Sequence, residues 1–178
     1  MHELNHICTD LETLSTRSNA VIVTIAAVRF NFSSDKVETF CVNVNPREGK
    51  ELGLHICLET LEWWRQQKPE AVKAWQHSQY GVSEALDMYS EFCGDDKNTS
   101  HWCLGTNFDF PILESSYQAV EKKEPWMHWN LHDMRTAFYL AGLDTFKEER
   151  VGTYHNAIDD CLTQIKWLKT ALGVKTVL

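Results

Sequence analysis

Residues 20–32 read AVIVTIAAVRFNF, and this stretch leaves the chain few choices of fold. It is dense in β-branched and aromatic side chains, which suit a pleated, buried surface, so it reads as a strand. A Ser33-Ser34-Asp35 turn signal follows, and residues 36–44 (KVETFCVNV) then alternate as a half-buried strand does. Together the two segments predict an antiparallel hairpin. A hairpin by itself is marginal in water, so the rest of the chain must extend and cover it.

Residues 4–9 form a short apolar run ending at Asp10 and read as a buried strand. Residues 45–53 (NPREGKELG) read as a loop by their Pro, Gly and charge content. From Cys57 the period becomes helical, with Leu58, Leu61 and Trp64, then Ala71, Val72 and Trp75. Pro69 suits the first turn of a second helix. Residues 82–93 make a third helix with Ser83 as its cap, and 94–100 a polar loop. Residues 100–104 (SHWCL) are a short strand, 109–120 a helix, and 131–141 a helix ended by Gly142. After a charged loop at 144–152, residues 155–172 form a long amphipathic helix. Its buried face carries Ala157, Ile158, Cys161, Leu162, Ile165, Leu168 and Leu172. No segment repeats. The order predicts one α/β domain over 1–178, a mixed sheet with a leading antiparallel hairpin and flanking helices.

The 178 residues are 43% hydrophobic and 24% charged, ordinary for a soluble domain. No apolar run is long enough to span a bilayer and residues 1–9 resemble no secretory signal, so the expectation is a cytoplasmic protein with no membrane partner. The six cysteines (Cys8, Cys41, Cys57, Cys93, Cys103 and Cys161) form no C-x-x-C pair, which argues against a zinc or redox motif. The other histidines (His2, His6, His55, His77, His101, His128 and His132) show no paired metal spacing. The net charge of −8 argues against a long electrostatic grip on nucleic acid.

Three acidic motifs carry chemistry. Asp10-Leu11-Glu12 ends a strand, where alternate residues share a face, so the two carboxylates aim at one place while Leu11 enters the core. Adjacent carboxylates repel unless a cation lies between them, and a divalent metal with oxygen ligands is the natural cation. Asn107-Phe108-Asp109 opens a helix straight after SHWCL, with Gly105 marking a tight turn or close approach. His155-Asn156-Ala157-Ile158-Asp159-Asp160 opens the last helix. Each has an ordinary structural explanation alone, since an acid in a first helical turn is favoured by the dipole.

In combination and in this order, D-x-E-T, N-F-D and H-x-x-x-x-D resemble the DEDDh family of 3′–5′ exonucleases. Leu14, Asn19-Ala20-Val21-Ile22, Leu61-Glu62-Trp63-Trp64 and His132-Asp133-Met134-Arg135-Thr136 are similar to its short bacterial and phage subgroup, that of RNase AS-like exoribonucleases and phage exonuclease A. Cys161 departs from the pattern, since many relatives place Ala there. The resemblance implies an RNase H-like fold, a homodimer and two Mg²⁺ or Mn²⁺ ions. Asp10 would bridge both ions, Glu12 and Asp160 would complete the set of ligands around the first ion, Asp109 would hold the second, directly or through water, and His155 would take the proton from the attacking water. Phosphodiester hydrolysis by two metals about 3.5–4 Å apart requires no covalent intermediate. Four acids without a thiolate suit Mg²⁺, and a neutral His suits the base.

The implied substrate is the 3′ end of single-stranded RNA or DNA, released as nucleoside 5′-monophosphates. Thr13 and Leu14 follow the acid pair and would contact the last nucleotide, Leu14 as a wedge. Phe108 would stack a base or anchor the core, and Asn107 belongs to the same turn. Arg135 would hold a phosphate or pair with Asp133, the pairing being the simpler expectation. One of Trp63 and Trp64 must face outward, because neighbours on a helix diverge. A non-catalytic binding module would be expected to lack one of these acids, and an RNase H-type endonuclease has no need of H-x-x-x-x-D.

Overall fold

The sheet grows from β1 (His6–Thr13), buried on both sides. Its antiparallel neighbour is β2 (Ile22–Asn31), which pairs onward with β3 (Ser34–Asn43), so the expected hairpin is present. On the other side β1 pairs in parallel with β4 (Ser100–Cys103), and β4 with β5 (Leu131–Asp133), giving the order β3-β2-β1-β4-β5. The computed structural model describes residues 4–67, 75–152 and 156–174. The helix start expected at Pro69 and the side chain of His155 lie outside the described residues.

Helices α1 (Pro46–Glu51), α2 (Leu58–Arg65), α3 (Val82–Cys93), α4 (Asp109–Ala119), α5 (Met134–Ala141) and α6 (Ala157–Ala171) complete the described framework. Alternation along the strands divides the core into two layers. Ile7, Leu11, Ile25 and Ala27 pack with Leu86 and Tyr89 of α3 and Ile112 and Leu113 of α4. Cys8, Ala26, Val28 and Phe30 face the other way, against Met134 and Phe138 of α5 and Cys161, Ile165 and Leu168 of α6. A smaller cluster of Leu14, Val21, Val23, Leu54, Trp64 and Trp75 closes one end. No described helix is long and apolar enough to cross a membrane.

Local chemistry corrects several boundaries. The expected loop at 45–53 contains α1, because Asn45 caps it through a bond from Arg47 N–H and Pro46 occupies its first turn. Strand β1 runs on through Asp10 to Thr13 rather than stopping at Asp10. The helix expected from Leu131 begins at Met134, because Asp133 is its cap, accepting from Arg135 N–H at 2.7 Å, and the three preceding residues pair with β4. Ser83 is not the cap of α3. That place belongs to Gly81, and the Ser83 N–H is satisfied by Glu48 Oε2 at 3.0 Å, from α1. Leu172, expected on the buried face, is exposed past the end of α6.

Arg29 is a charged residue inside the apolar β2, and its guanidinium donates to the carbonyls of Leu4, Phe92 and Cys93 at 3.1, 2.7 and 2.7 Å. It thereby ties the start of β1 and the last turn of α3 to the sheet. Arg29→Met leaves buried carbonyls without donors and is expected to lower stability by about 2–4 kcal/mol, read as a fall in urea midpoint with an unchanged slope. A loss under about 1 kcal/mol would show that solvent takes over these carbonyls.

Candidate active site

Asp10 and Glu12 leave β1 on the face that meets α6, and Leu11 between them is buried in the opposite layer. Asp160 stands in the first turn of α6, whose cap Asn156 accepts from Asp159 N–H. The helix start thus favours the acid it presents. The structure brings Asp10, Glu12 and Asp160 together, with one oxygen of each within 4.8 Å of the others. Asp109, the first residue of α4, is not part of that triplet. It is 5% exposed, and its Oδ1 accepts from the Leu11 N–H at 3.2 Å, which ties the β4–α4 turn to the backbone between the two β1 acids.

The electrostatics are those of a crowded anionic site. Burial pushes the Glu12 carboxyl up to about 8, and the Asp160 and Asp109 charges add to it. Asp10 is held well above the usual carboxylate range by burial first and then by Asp109 and Glu12, against one stabilising bond from Gln164. Burial pushes Asp109 up to about 7, opposed by the Leu11 N–H and more weakly by Arg135. Such a set is stable in ionised form only with added positive charge. The donors are all hard carboxylate oxygens. Of the nearby thiols, Cys8 points to Gln164 and Cys161 to the carbonyls of Cys8 and Ala26 at 3.6 and 3.9 Å, while the Cys103 thiol, which burial keeps protonated, donates to Asp109. The residues therefore fit a divalent cation of the Mg²⁺ or Mn²⁺ kind. Cys161 also explains its own departure from Ala: it lies flat on β1 and β2 with no exposure, where only a small side chain fits.

Beside Glu12 opens a cavity of about 500 Å³ walled by Thr13, Ser15, Glu59, Thr60, Trp63 and Phe108. Of the adjacent tryptophans, Trp64 is the anchor, its Nε1 donating to Thr13 O at 2.9 Å. Trp63, 38% exposed, faces the cavity. Phe108 is half-buried, packing on the core while lining the same cavity. The Thr13 hydroxyl is engaged by Ser15 O at 2.7 Å. Leu14 requires a correction. It is 2% exposed within the third cluster, and both its backbone groups are bonded, to Val21 O and Cys57 N, so it offers no wedge. Asn107 is exposed on the turn. Arg135 forms no ion pair with Asp133, which instead accepts from Arg135 N–H and from Thr106. Its guanidinium lies over Gly105, 3.3 Å from where a Cβ would stand, and Gly105 has a φ of +106°.

Gln164 is absent from the sequence expectations. It lies one helical turn after Asp160 on α6, and its Nε2 donates to Asp10 Oδ1 at 2.9 Å. The i, i+4 spacing from Asp160 is the signal that marks it.

The chain is similar to known proteins. The family model for the 3′–5′ exoribonuclease Rv2179c-like domain matches residues 5–172. An exodeoxyribonuclease of Enterobacteria phage T4 is 28% identical over a 200-residue alignment, covering 92% of this chain and 87% of that one. The nuclease domain of 3′hExo, a DEDDh family member solved with rAMP bound, superposes with a TM-score of 0.63 at 13% identity. The match covers 94% of this chain and 91% of that one, and it shows a shared fold.

Because the folded-state values of Asp10, Glu12 and Asp109 are raised, the native protein holds protons that the unfolded chain has released. Their contribution to stability is present near pH 4–5 and is lost as pH rises toward about 8. In chelator, the melting temperature should therefore fall between pH 5.5 and pH 8, and Glu12→Gln should flatten that fall. A metal-free protein more stable at pH 8 would contradict the raised carboxyls.

Proposed function

The chain belongs to the 3′–5′ exoribonuclease Rv2179c-like domain family, and we propose that residues 1–178 act as one metal-dependent exonuclease domain on the 3′ end of single-stranded RNA or DNA. It releases nucleoside 5′-monophosphates in the cytoplasm. One observation carries this: the oxygens of Asp10, Glu12 and Asp160 converge within 4.8 Å, with buried Asp109 behind them, in a chain of that family. The proposal covers either sugar, since the matching family is described as exoribonuclease and the phage relative as exodeoxyribonuclease.

Asp10, Glu12 and Asp160 would hold one ion, and Asp10 with Asp109 a second. When bound, Mg²⁺ or Mn²⁺ supplies activation of the attacking water and charge neutralisation at the scissile phosphate. The chain's own groups do the rest. Gln164 fixes the rotamer of Asp10, and the Leu11 N–H fixes Asp109. The terminal base enters the cavity beside Glu12, between Phe108 and Trp63, where stacking is worth about 1–3 kcal/mol per base. Thr13 borders that cavity, held in place by Trp64. Arg135 and Asn107, exposed at the β4–α4 turn, meet the phosphate next to the scissile one. His155 directly precedes the α6 cap in sequence and takes the proton of the attacking water. The protein works as a homodimer. The strongly exposed Tyr139, Leu140 and Phe146, on and just after α5, are the apolar surface that supports this.

Asp10→Asn, Glu12→Gln, Asp109→Asn and Asp160→Asn are each expected to abolish nearly all release of mononucleotides from an end-labelled strand while the circular dichroism is kept. His155→Ala should reduce kcat by about 10²–10⁴ with Mn²⁺ affinity retained. An active Asp10→Asn enzyme would overturn the metal-centred mechanism, and internal cleavage products would point to an RNase H-type endonuclease.

With a net charge of −8, binding should be confined to the last nucleotides. Log affinity of Asp10→Asn for an oligonucleotide, measured in Ca²⁺ against log salt, should have a slope matching about one to three phosphates at about −0.7 each. Digestion should be distributive. A slope matching six or more would reveal a basic groove assembled by folding.

A further inference from the structure

Asp160 of this cluster is in direct contact with a cation. Its Oδ1 is bonded by Arg150 Nη2, and both side chains are largely buried. Arg150 lies in the loop between α5 and α6, and the chain on either side of it is tied to α6 itself. The Glu149 carbonyl accepts from Trp167 Nε1 at 3.2 Å, and the Glu149 carboxylate pairs with Lys166 at 3.0 Å. The Val151 N–H donates to Thr163 Oγ1 at 3.0 Å. The guanidinium stands 5.9 Å from the centre of the Trp167 ring. Positions 163, 166 and 167 lie on the helix that presents Asp160, so the guanidinium is pre-placed on that acid. These anchors fix the backbone on both sides of Arg150, and the Trp167 ring limits its side chain, so the pair costs less entropy than one between two free surface side chains.

We propose that Arg150 is a resident counter-cation of the acid cluster. It neutralises Asp160 when no divalent ion is bound, gives way when one binds, and so sets the metal affinity of the site. The proposal rests on the metal-dependent reading above. Glu12 and Asp10 converge on the same point as Asp160, so an ion there would place two positive charges beside the guanidinium in a poorly solvated place. Arg150 and the ion are therefore antagonists on one carboxylate. A ligand whose competent state is only fractionally populated binds with affinity reduced by that fraction. With Arg150 seated on Asp160, the open cluster is the minor state.

The test uses the full chain with Arg150→Gln and Arg150→Lys, reading Mn²⁺ binding by calorimetry and melting in chelator. Arg150→Gln should bind Mn²⁺ about ten-fold more tightly and melt at a lower temperature without metal. Arg150→Lys, which keeps the charge but loses the planar fork, should fall between it and the wild type in both. If Arg150→Gln folds poorly, the Lys variant alone decides, since tightening is still expected of it. Unchanged or weaker Mn²⁺ binding in the folded variants overturns the proposal. Asp10→Asn separates the two levels. If the wild type binds no Mn²⁺, or binds it equally well without the Asp10 charge, the metal-centred reading fails and the role of Arg150 falls with it. If binding depends on Asp10 and does not tighten without Arg150, only the counter-cation is refuted.

Discussion

Strand β1 has two neighbours of opposite character, and its pleat has to satisfy both. Ile7, Thr9 and Leu11 face α3 and α4, where the Thr9 hydroxyl meets that of Tyr89 at 2.8 Å. Cys8, Asp10 and Glu12 face α6. A slip of one residue would put two carboxylates into an apolar layer and Leu11 into the site. The register is held by β2, whose first nine residues are buried, and by parallel pairing with β4. That parallel pairing also aims the turn after β4 so that Asp109 reaches the Leu11 N–H. The acids sit where the layers open, at the end of the strand and the start of a helix. There Gln164 and a helix N-terminus offset part of their repulsion.

The hairpin and the acids are legible in the sequence because both signals are local: β-branched residues next to a turn, and carboxylates at element ends. The family motifs add the grouping that no single segment carries. What stays hidden has physical reasons. NPREGKELG has the composition of a loop, yet Asn45 and Pro46 are also what a helix start requires, and the short α1 is stabilised by its tertiary contacts. Strand β5 has three residues, too few for a period to show. Leu14 has the type and place of a nucleotide contact, and only packing reveals that Trp64 and Trp75 enclose it. Gln164 could be found by counting one turn from Asp160. Arg150 could not, because a charged loop does not disclose which acid it will meet.

Trp63 and Trp64 show how a helix of modest length can serve the site. Successive residues diverge by about 100° around a helix, so one of a pair can be an anchor while the other lines a groove. Trp64 holds the carbonyl of Thr13, and through it the end of the strand that carries Glu12. Trp63 meets it edge-on at 5.1 Å and borrows that rigidity for the cavity wall. The same economy governs charge. On the proposed function, an acidic chain needs few cations near a phosphate if those few are placed by the backbone, as the Asp133 cap places the Arg135 main chain.

The bond from the Ser83 N–H to Glu48 has a consequence for the order in which the chain assembles. Helix α3 starts at a glycine that offers no capping side chain, and its first turn is completed by a carboxylate 35 residues earlier. A Cβ on Gly81 would meet Glu48 Oε2 at 2.1 Å, so the glycine is what allows the carboxylate to come so close. The first turn of α3 is therefore not autonomous. It closes when α1 docks, and a peptide of α3 alone should fray at that end, as amide exchange would report. The bond thus couples the start of α3, which covers the Thr9 side of β1, to the segment that leaves the hairpin, and local opening of either is expected to loosen the other.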